Sequence, residues 1–418
     1  MPSGRRCAMA WHEVACGLDV HRSSLVACLV RGGPGGEREV EERRFGTTGS
    51  EVAGFRAWLE AAGCQALGME ATGVFWRPVF REMEGRMRVV VANPAHVKAI
   101  RGRKTDRKDA AWLAGKVQED GIPSSFIPAL EVREGRDWAR LHGNLVQART
   151  QARNQTLKLL LGAGIPLSAV LSDVFGVSGV GLLEALSEGR TAWDELEGRL
   201  RGKARLKADQ IRLALEVTLR EGEREQLSFH LKRLKVLEEQ VLEADRHLKA
   251  WSEQFRGKRI LLTTIPGIGE LAAQLILAEV GPDLSAFPSA KHFAAWLGLA
   301  PASHESGGRS RPAGTRKGNY RLQSLLVECA QASARTKGCS LRTKYLSLKV
   351  RMPAQKAIVV IAHKLALIIY RVLMDDVPYQ EREEDSLPSP ARARQLRQAI
   401  RLIQDCGGAV QMPPKDSM

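Results

Sequence analysis

The chain has 418 residues, 44% of them hydrophobic and 26% charged, which is enough for more than one buried core. It carries 63 Lys and Arg against 47 Asp and Glu, a net charge of +16. Such an excess favours a polyanionic partner, because neutralising phosphates releases condensed counterions. The seven cysteines are scattered, odd in number and contain no Cys-x-x-Cys pair, which argues against a disulfide framework or a zinc site. The N-terminal stretch lacks an apolar run of signal-peptide length. The apolar run at 357–370 is interrupted by His363 and Lys364 and reads as too short to span a bilayer. A cytosolic protein is expected.

In chain order, 14–20 and 24–30 are β-rich runs separated by Asp19-Val-His-Arg-Ser, the pattern of a hairpin-like pair. Residues 39–48 follow as a third strand, and 49–62 has helical spacing through Val52, Phe55, Leu59 and Ala62. A short apolar strand at 65–70, a helix at 74–84 and a strand at 88–92 complete an α/β pattern with a mixed sheet. From about Glu134 the pattern turns helical, through Trp138, Leu141, Leu145, Ala148, Ala152 and Leu159, until Gly162-Ala-Gly-Ile-Pro166 breaks it. A second helical stretch follows the Gly-rich 175–181. Leu227, Leu231, Leu234, Val241, Leu248 and Phe255 then form a heptad seam, which suits a contact between chains better than a hairpin with the first long helix. A compact unit runs from Ile260 to about Ala366. Beyond Asp376 the chain is Pro-rich and charged, with one amphipathic stretch at 393–403, and reads as a poorly ordered tail.

Four acids stand out. Asp19 ends the first strand and Glu70 a later one; Asp106 and Asp109 follow in Lys104-Thr-Asp-Arg-Lys-Asp-Ala. With Thr105 as N-cap, the last two lie at i and i+3 in a first helical turn. Four carboxylates in one cavity repel unless hard divalent cations, Mg²⁺ or Mn²⁺, bind them. Two such ions can clamp both oxygens of a phosphodiester displacement. Arg101, Arg103, Lys104, Arg107 and Lys108 surround the last pair, as a phosphate backbone requires.

The C-terminal unit opens with Thr264-Ile-Pro-Gly-Ile-Gly269 before a helix. Gly267 and Gly269 permit a tight turn whose free N–H groups suit a DNA phosphate, as in a helix-hairpin-helix element. From Ser306 to Lys356 there are twelve Lys or Arg residues and one acid, Glu328. Arg309, Arg311, Arg316, Lys317 and Arg321 crowd a Gly/Ser-rich loop, and this one-sided charge favours a phosphate track. A serine in that loop approaches a phosphate closely and is a candidate nucleophile, with guanidiniums stabilising the developing charge.

Together these segments resemble the DEDD transposases of the insertion-sequence one-ten family. The match rests on Gly17-Leu-Asp-Val-His-Arg22, Gly68-Met-Glu-Ala-Thr-Gly73, Lys104-Thr-Asp-Arg-Lys-Asp-Ala110 and Phe175-Gly-Val-Ser-Gly179. It continues through Thr264-Ile-Pro-Gly-Ile-Gly269, Gly298-Leu-Ala-Pro301, Glu305-Ser-Gly307 and Lys317-Gly-Asn319, in order and approximate spacing. The resemblance implies a multidomain α/β and α protein. A RuvC-like (RNase H-like) domain over 1–125 is followed by a helical coiled-coil region over 126–258. A mainly helical transposase domain occupies 259–375, and the tail 376–418. It implies metal ligation by Asp19, Glu70, Asp106 and Asp109, and a Ser306 nucleophile that links covalently to DNA. It also implies double-stranded target and donor DNA, a structured bridge RNA that selects them, and a homodimer assembling to a tetramer in the bacterial cytosol, with one site completed from two subunits. The four acids alone also suit a structure-selective nuclease of the junction-resolvase kind, with metal-bound water as nucleophile and Ser306 only holding phosphate. A non-catalytic nucleic-acid scaffold is the third reading.

Overall fold

Runs of Val, Leu, Ala and Cys fold as two antiparallel strands, β1 (Val14–Val20) and β2 (Leu25–Arg31). Their tight turn is closed by the His21 N–H donating to the Ser24 carbonyl at 2.9 Å. The computed structural model describes residues 11–94, 97, 106–301, 304–306, 309–311, 314–315, 317–381, 398 and 400–404; for 106–109, 304–306 and 309–311 it describes the backbone. β3 (Glu39–Phe45) pairs antiparallel with β2 and leaves most of its charged residues exposed, which guards a sheet edge. β4 (Ala66–Glu70) and β5 (Arg88–Ala92) add in parallel beyond β1, giving the five-stranded mixed order β3-β2-β1-β4-β5. That layout is consistent with an RNase H-like domain. The described residues divide into two compact units, 1–127 and 128–418.

The sheet of the first unit is covered on both faces. On one, α1 (Gly49–Ala61) and α2 (Trp76–Met83) bury Val52, Phe55, Leu59, Val79, Phe80 and Met83 against Leu18, Leu29, Leu67 and Met69. Each large side chain removed from water there contributes roughly 1.5–3 kcal/mol. The other face carries small residues, and α3 (Asp106–Gln118) lies on it. Gly17 and Gly68 are direct partners in the parallel β1–β4 register. A Cβ on Gly17 would run into the Ala110 carbonyl oxygen and come within 2.5 Å of Ala114 N; one on Gly68 would meet Val117 and stand 3.4 Å from Leu113. The paired glycines therefore set how closely helix and sheet approach.

In the second unit α4 (Leu130–Gly162) and α6 (Glu221–Ser252) run side by side. Their antiparallel register is marked by Trp251 over Gly135, His142 beside Asp245 and Arg153 on Glu238. Between them in sequence come α5 (Val177–Ser187) and shorter helices, whose Leu182, Leu183, Leu186, Leu196 and Ile211 form one apolar cluster with Leu160 and Leu227. The seam residues Leu227, Leu234, Val241 and Leu248 are thus buried within their own chain, with Leu231 and Phe255 half-buried. This corrects the expectation of a contact between chains. A period of 3.5 specifies an apolar stripe but not which helix covers it, and here α4 and the small helical cluster do.

The rest is helical: α7 (Arg256–Thr263), α8 (Glu270–Val280), α9 (Ala290–Trp296), α10 (Tyr320–Arg335), α11 (Ser340–Lys349) and α12 (Ala354–Asp375), with a hairpin of β6 (His304–Ser306) and β7 (Arg309–Arg311) between α9 and α10. α12 overturns the reading of its apolar run as too short. The helix extends over 22 residues and is long and apolar enough to cross a membrane, yet half of its apolar window is buried in the unit, through residues such as Ile361, Leu365 and Ile369. Residues 376–381 are held by Tyr379 N–H on Thr264 Oγ1 at 2.8 Å and by the Glu381 carboxylate on Ser340 N–H at 3.1 Å. The remainder of the tail, including most of 393–403, lies outside the described residues.

Candidate active site

Asp19 and Glu70 stand at the C-terminal ends of neighbouring parallel strands. The register Gly17↔Gly68 and Leu18↔Met69 makes them the next pair along. Side chains alternate along a strand, so both acids share the face of Gly17 and Gly68, the face that α3 covers. Asp19 is 30% exposed and its Oδ2 lies 3.1 Å from His21 Nε2. His21 escaped the sequence reading; its signal is the i, i+2 spacing from Asp19 at a strand end.

α3 runs opposite to the strands it covers. Ala15 and Ala66 share a cluster with Leu113 and Val117, whereas Gly17, further along β1, meets Ala110 and Ala114. Two residues of strand advance roughly 6.6 Å and one helical turn about 5.4 Å, so the sequence of contacts steps backward along the helix by about a turn. Asp106 is the first residue of α3, and Asp109, Arg107 and Lys108 share its first turn. Among the described residues no group of three or more His, Cys, Asp or Glu assembles; the described carboxyl groups here are those of Asp19 and Glu70. Thr105, Arg101, Arg103 and Lys104 lie outside the described residues.

The second set of predicted residues gathers around the β6–β7 hairpin. Ser306 ends β6 and pairs with Arg309, the first residue of β7, while His304 pairs with Arg311. The intervening Gly307-Gly308 is the sequence of a two-residue hairpin turn. Lys317 is exposed at the hairpin's exit, and Arg316 lies outside the described residues. Arg321 turns toward its own unit: its Nη2 donates to Asn144 Oδ1 at 3.0 Å, and its guanidinium stands over the Tyr320 ring. Gly267 has φ +89°, and a Cβ there would lie 2.5 Å from the Cys329 carbonyl oxygen. Gly269 precedes α8 directly, so α7, the turn 264–269 and α8 follow one another as two short helices joined by a glycine turn.

Five described cysteines, Cys16, Cys28, Cys64, Cys329 and Cys339, are free and buried. Burial pushes the Cys28, Cys64 and Cys329 thiols up to about 11, which keeps them protonated and poorly nucleophilic at neutral pH.

Comparison with known proteins assigns these features to one lineage. A model of DEDD transposases of the IS110 type, described as "Transposase", matches residues 16–165, and one described as "Transposase IS116/IS110/IS902 family" matches 260–346. A Pseudomonas aeruginosa protein called "Probable family 20 transposase" is 27% identical over 321 residues, 75% of this chain and 85% of the relative. The "Transposase for insertion sequence element IS1111A" of Coxiella burnetii is 25% identical over 69% of this chain and 72% of its own. The "Pilin gene-inverting protein" of Moraxella bovis is 32% identical over 29% of this chain and 38% of its own. The first model spans both strand ends that carry acids and the start of α3, the second spans the glycine turn and the serine hairpin, and the chain belongs to the IS110 family of DEDD transposases, enzymes that recombine DNA.

Proposed function

We propose that the chain moves its own insertion sequence through a covalent serine–DNA intermediate, with Asp19, Glu70, Asp106 and Asp109 holding divalent metal and a structured RNA choosing target and donor duplexes. The observation that carries the metal reading is the common placement of two carboxylates on one face of adjacent strand ends, with the backward run of α3 bringing its first turn toward them. Oxygen donors of this kind suit Mg²⁺ or Mn²⁺, which, when bound, supplies positive charge to the oxygens of the reacting phosphodiester. The N-terminus of α3 adds the positive end of a helix dipole, favouring ionised carboxylates beside it. His21, with Nε2 3.1 Å from Asp19 Oδ2, orients that carboxylate.

In this reading Ser306 Oγ gives up its proton to solvent and attacks phosphorus; an O–P bond forms, the bond to a deoxyribose oxygen breaks, and that oxygen takes up a proton from solvent. The backbone pairing of Ser306 with Arg309 supports the role, because an arginine at the neighbouring position of the hairpin suits the negative charge that develops on the phosphate oxygens. A covalent ester stores the broken bond, so rejoining by a new deoxyribose oxygen restores Ser306 without an energy cofactor. Arg101, Arg103, Lys104, Arg107 and Lys108 on one unit and Arg309, Arg311, Arg316, Lys317 and Arg321 on the other contact phosphates, as do the backbone N–H groups of a helix-hairpin-helix at Gly267 and Gly269. The domain limits 1–125, 126–258, 259–375 and 376–418, and a dimer assembling to a tetramer in which one subunit's acids serve another's serine, belong to the same proposal. Supporting it are the order of motifs and the net charge of +16.

The test supplies the purified protein, its co-purifying RNA and Mg²⁺ with a plasmid carrying the gene and its native flanks. Ser306→Ala is expected to abolish the covalent adduct while retaining DNA binding, and Asp19→Asn to reduce strand cleavage by at least about 10³-fold. Cleavage that survives Ser306→Ala but not Asp19→Asn would establish the nuclease reading instead; DNA binding without any cleavage by the unsubstituted protein leaves the scaffold.

A further inference from the structure

The hairpin that carries Ser306 leaves the helical core between α9 and α10, and its base is clamped by polar groups rather than by apolar packing. Gly318 lies against the end of α9, where a Cβ would stand 2.5 Å from the Leu297 carbonyl carbon, and Gln323 Nε2 donates to the Gly298 carbonyl at 3.0 Å. One step further out, Pro301 bridges to Thr315. Asn319 closes the clamp with its side chain and its N–H. Its Oδ1 accepts from Leu322 N–H at 3.2 Å, capping α10; its own N–H donates to the Trp296 carbonyl at 3.2 Å; and its Nδ2 donates to Glu279 Oε2 at 3.0 Å.

Glu279 has no business in its surroundings on polarity grounds. It is 4% exposed, next to the end of an apolar helix and flanked by buried Ala278 and Val280. A carboxylate so placed costs several kcal/mol unless paired. The partners are two guanidiniums of α4, Arg136 with Nε at 3.5 Å and Arg140 with Nε at 3.2 Å, and the amide of Asn319. Ion clusters of this type contribute little net stability compared with apolar side chains of equal volume. What this one supplies is direction: it ties the first residue before α10 to α4 and α8, and so fixes the angle at which the serine hairpin departs.

We infer that Glu279 and Asn319 are positioning residues that aim the Ser306 hairpin at the scissile phosphate through the clamp at its base. This rests on the reading of Ser306 as the nucleophile. A carboxylate at 319 caps a helix as well as the amide does, but would face the Glu279 carboxylate. Asn319→Asp therefore keeps α10 and breaks the clamp, whereas the exchanged pair Asn319→Asp with Glu279→Gln restores a donor–acceptor contact and leaves one negative charge beside Arg136 and Arg140.

The full-length protein is assayed with its co-purifying RNA, Mg²⁺ and the plasmid bearing the native flanks, at saturating DNA. Three readouts are taken: the rate of covalent adduct formation, the affinity for the plasmid, and hydrogen exchange of the backbone amides at 304–311. Asn319→Asp is expected to slow the adduct by about 10²-fold, the penalty of a misplacement near 1 Å, with affinity unchanged and hairpin exchange faster. The exchanged pair regains most of the rate and the protection. A wild-type adduct rate in Asn319→Asp overturns the inference, as does an exchanged pair that recovers the melting temperature but not the rate. Should Ser306→Ala still form the adduct, the nucleophile reading falls, while faster hairpin exchange in Asn319→Asp continues to report the clamp on its own.

Discussion

The proposed metal-binding acids of the first unit and the proposed nucleophile of the second are held in different ways. On the N-terminal unit Asp19 and Glu70 are fixed by close packing: two residues before them, Gly17 meets the backbone of α3 and Gly68 meets its Val117 and Leu113 side chains. On the C-terminal unit the serine sits at the end of a short hairpin whose base is tied by Asn319 and Glu279. Close packing of backbone on backbone tolerates no added atom but is indifferent to pH and salt. A hydrogen-bonded clamp tolerates exchange of its members provided donors and acceptors still match. The first arrangement suits ligands that must hold still, the second a group that must be aimed.

Single methyl groups separate these modes. Gly17→Ala is expected to destabilise the N-terminal unit by about 3 kcal/mol, because its Cβ meets the fixed backbone of Ala110 and Ala114 and not a movable side chain. Urea denaturation followed through the first transition measures it. Gly54→Ala is the internal standard. Gly54 lies exposed within α1 with no atom near its would-be Cβ, so the same methyl should stabilise the same unit by about 0.5–1 kcal/mol. Equal effects at the two positions would show that α3 does not press on the sheet as described, and with it would go the argument that its first turn approaches Asp19 and Glu70.

The same contrast explains what was legible in the sequence. Strands and helices of the first unit followed from alternation and from runs closed by Gly or Asn-Pro, since local pattern and tertiary burial agree there. Asp19 and Glu70 were visible because each ends an apolar run, two residues after a glycine. The seam at 227–255 was legible as a stripe, but its partner was not. The residues that cover it lie in α4 and in a cluster around Leu160 and Leu182, distant in sequence. Nor could the sequence mark Glu279. In isolation it is an acid one residue from a helix end, and only the fold brings Arg136, Arg140 and Asn319 to it. Asn319 belongs to the Lys317-Gly-Asn319 motif, yet its bond to Glu279 spans forty positions that no local rule connects.

The smallest expected effect tests a polar contact that lies between the two long helices. His142, on α4, is 7% exposed and places Nε2 3.1 Å from Asp245 Oδ1 of α6. Burial holds this imidazole below the usual histidine range; Arg149 adds to the lowering, and Asp245 opposes it without prevailing. Because the folded value lies below the unfolded one, the unfolded chain takes up a proton first as the medium is acidified. Stability is therefore full above the unfolded value, near 6.5, and declines as pH falls from there toward the folded value. The slope for one such group is at most about 1.4 kcal/mol per pH unit. His142→Gln should flatten this part of the curve in urea midpoints taken between pH 7 and pH 5, roughly the window of that titration. A steeper acid limb in the variant would mean that the ion pair with Asp245 outweighs burial. The helical unit would then be stabilised by the charged imidazole, and this contact between its long helices would gain strength, not lose it, as the medium is acidified.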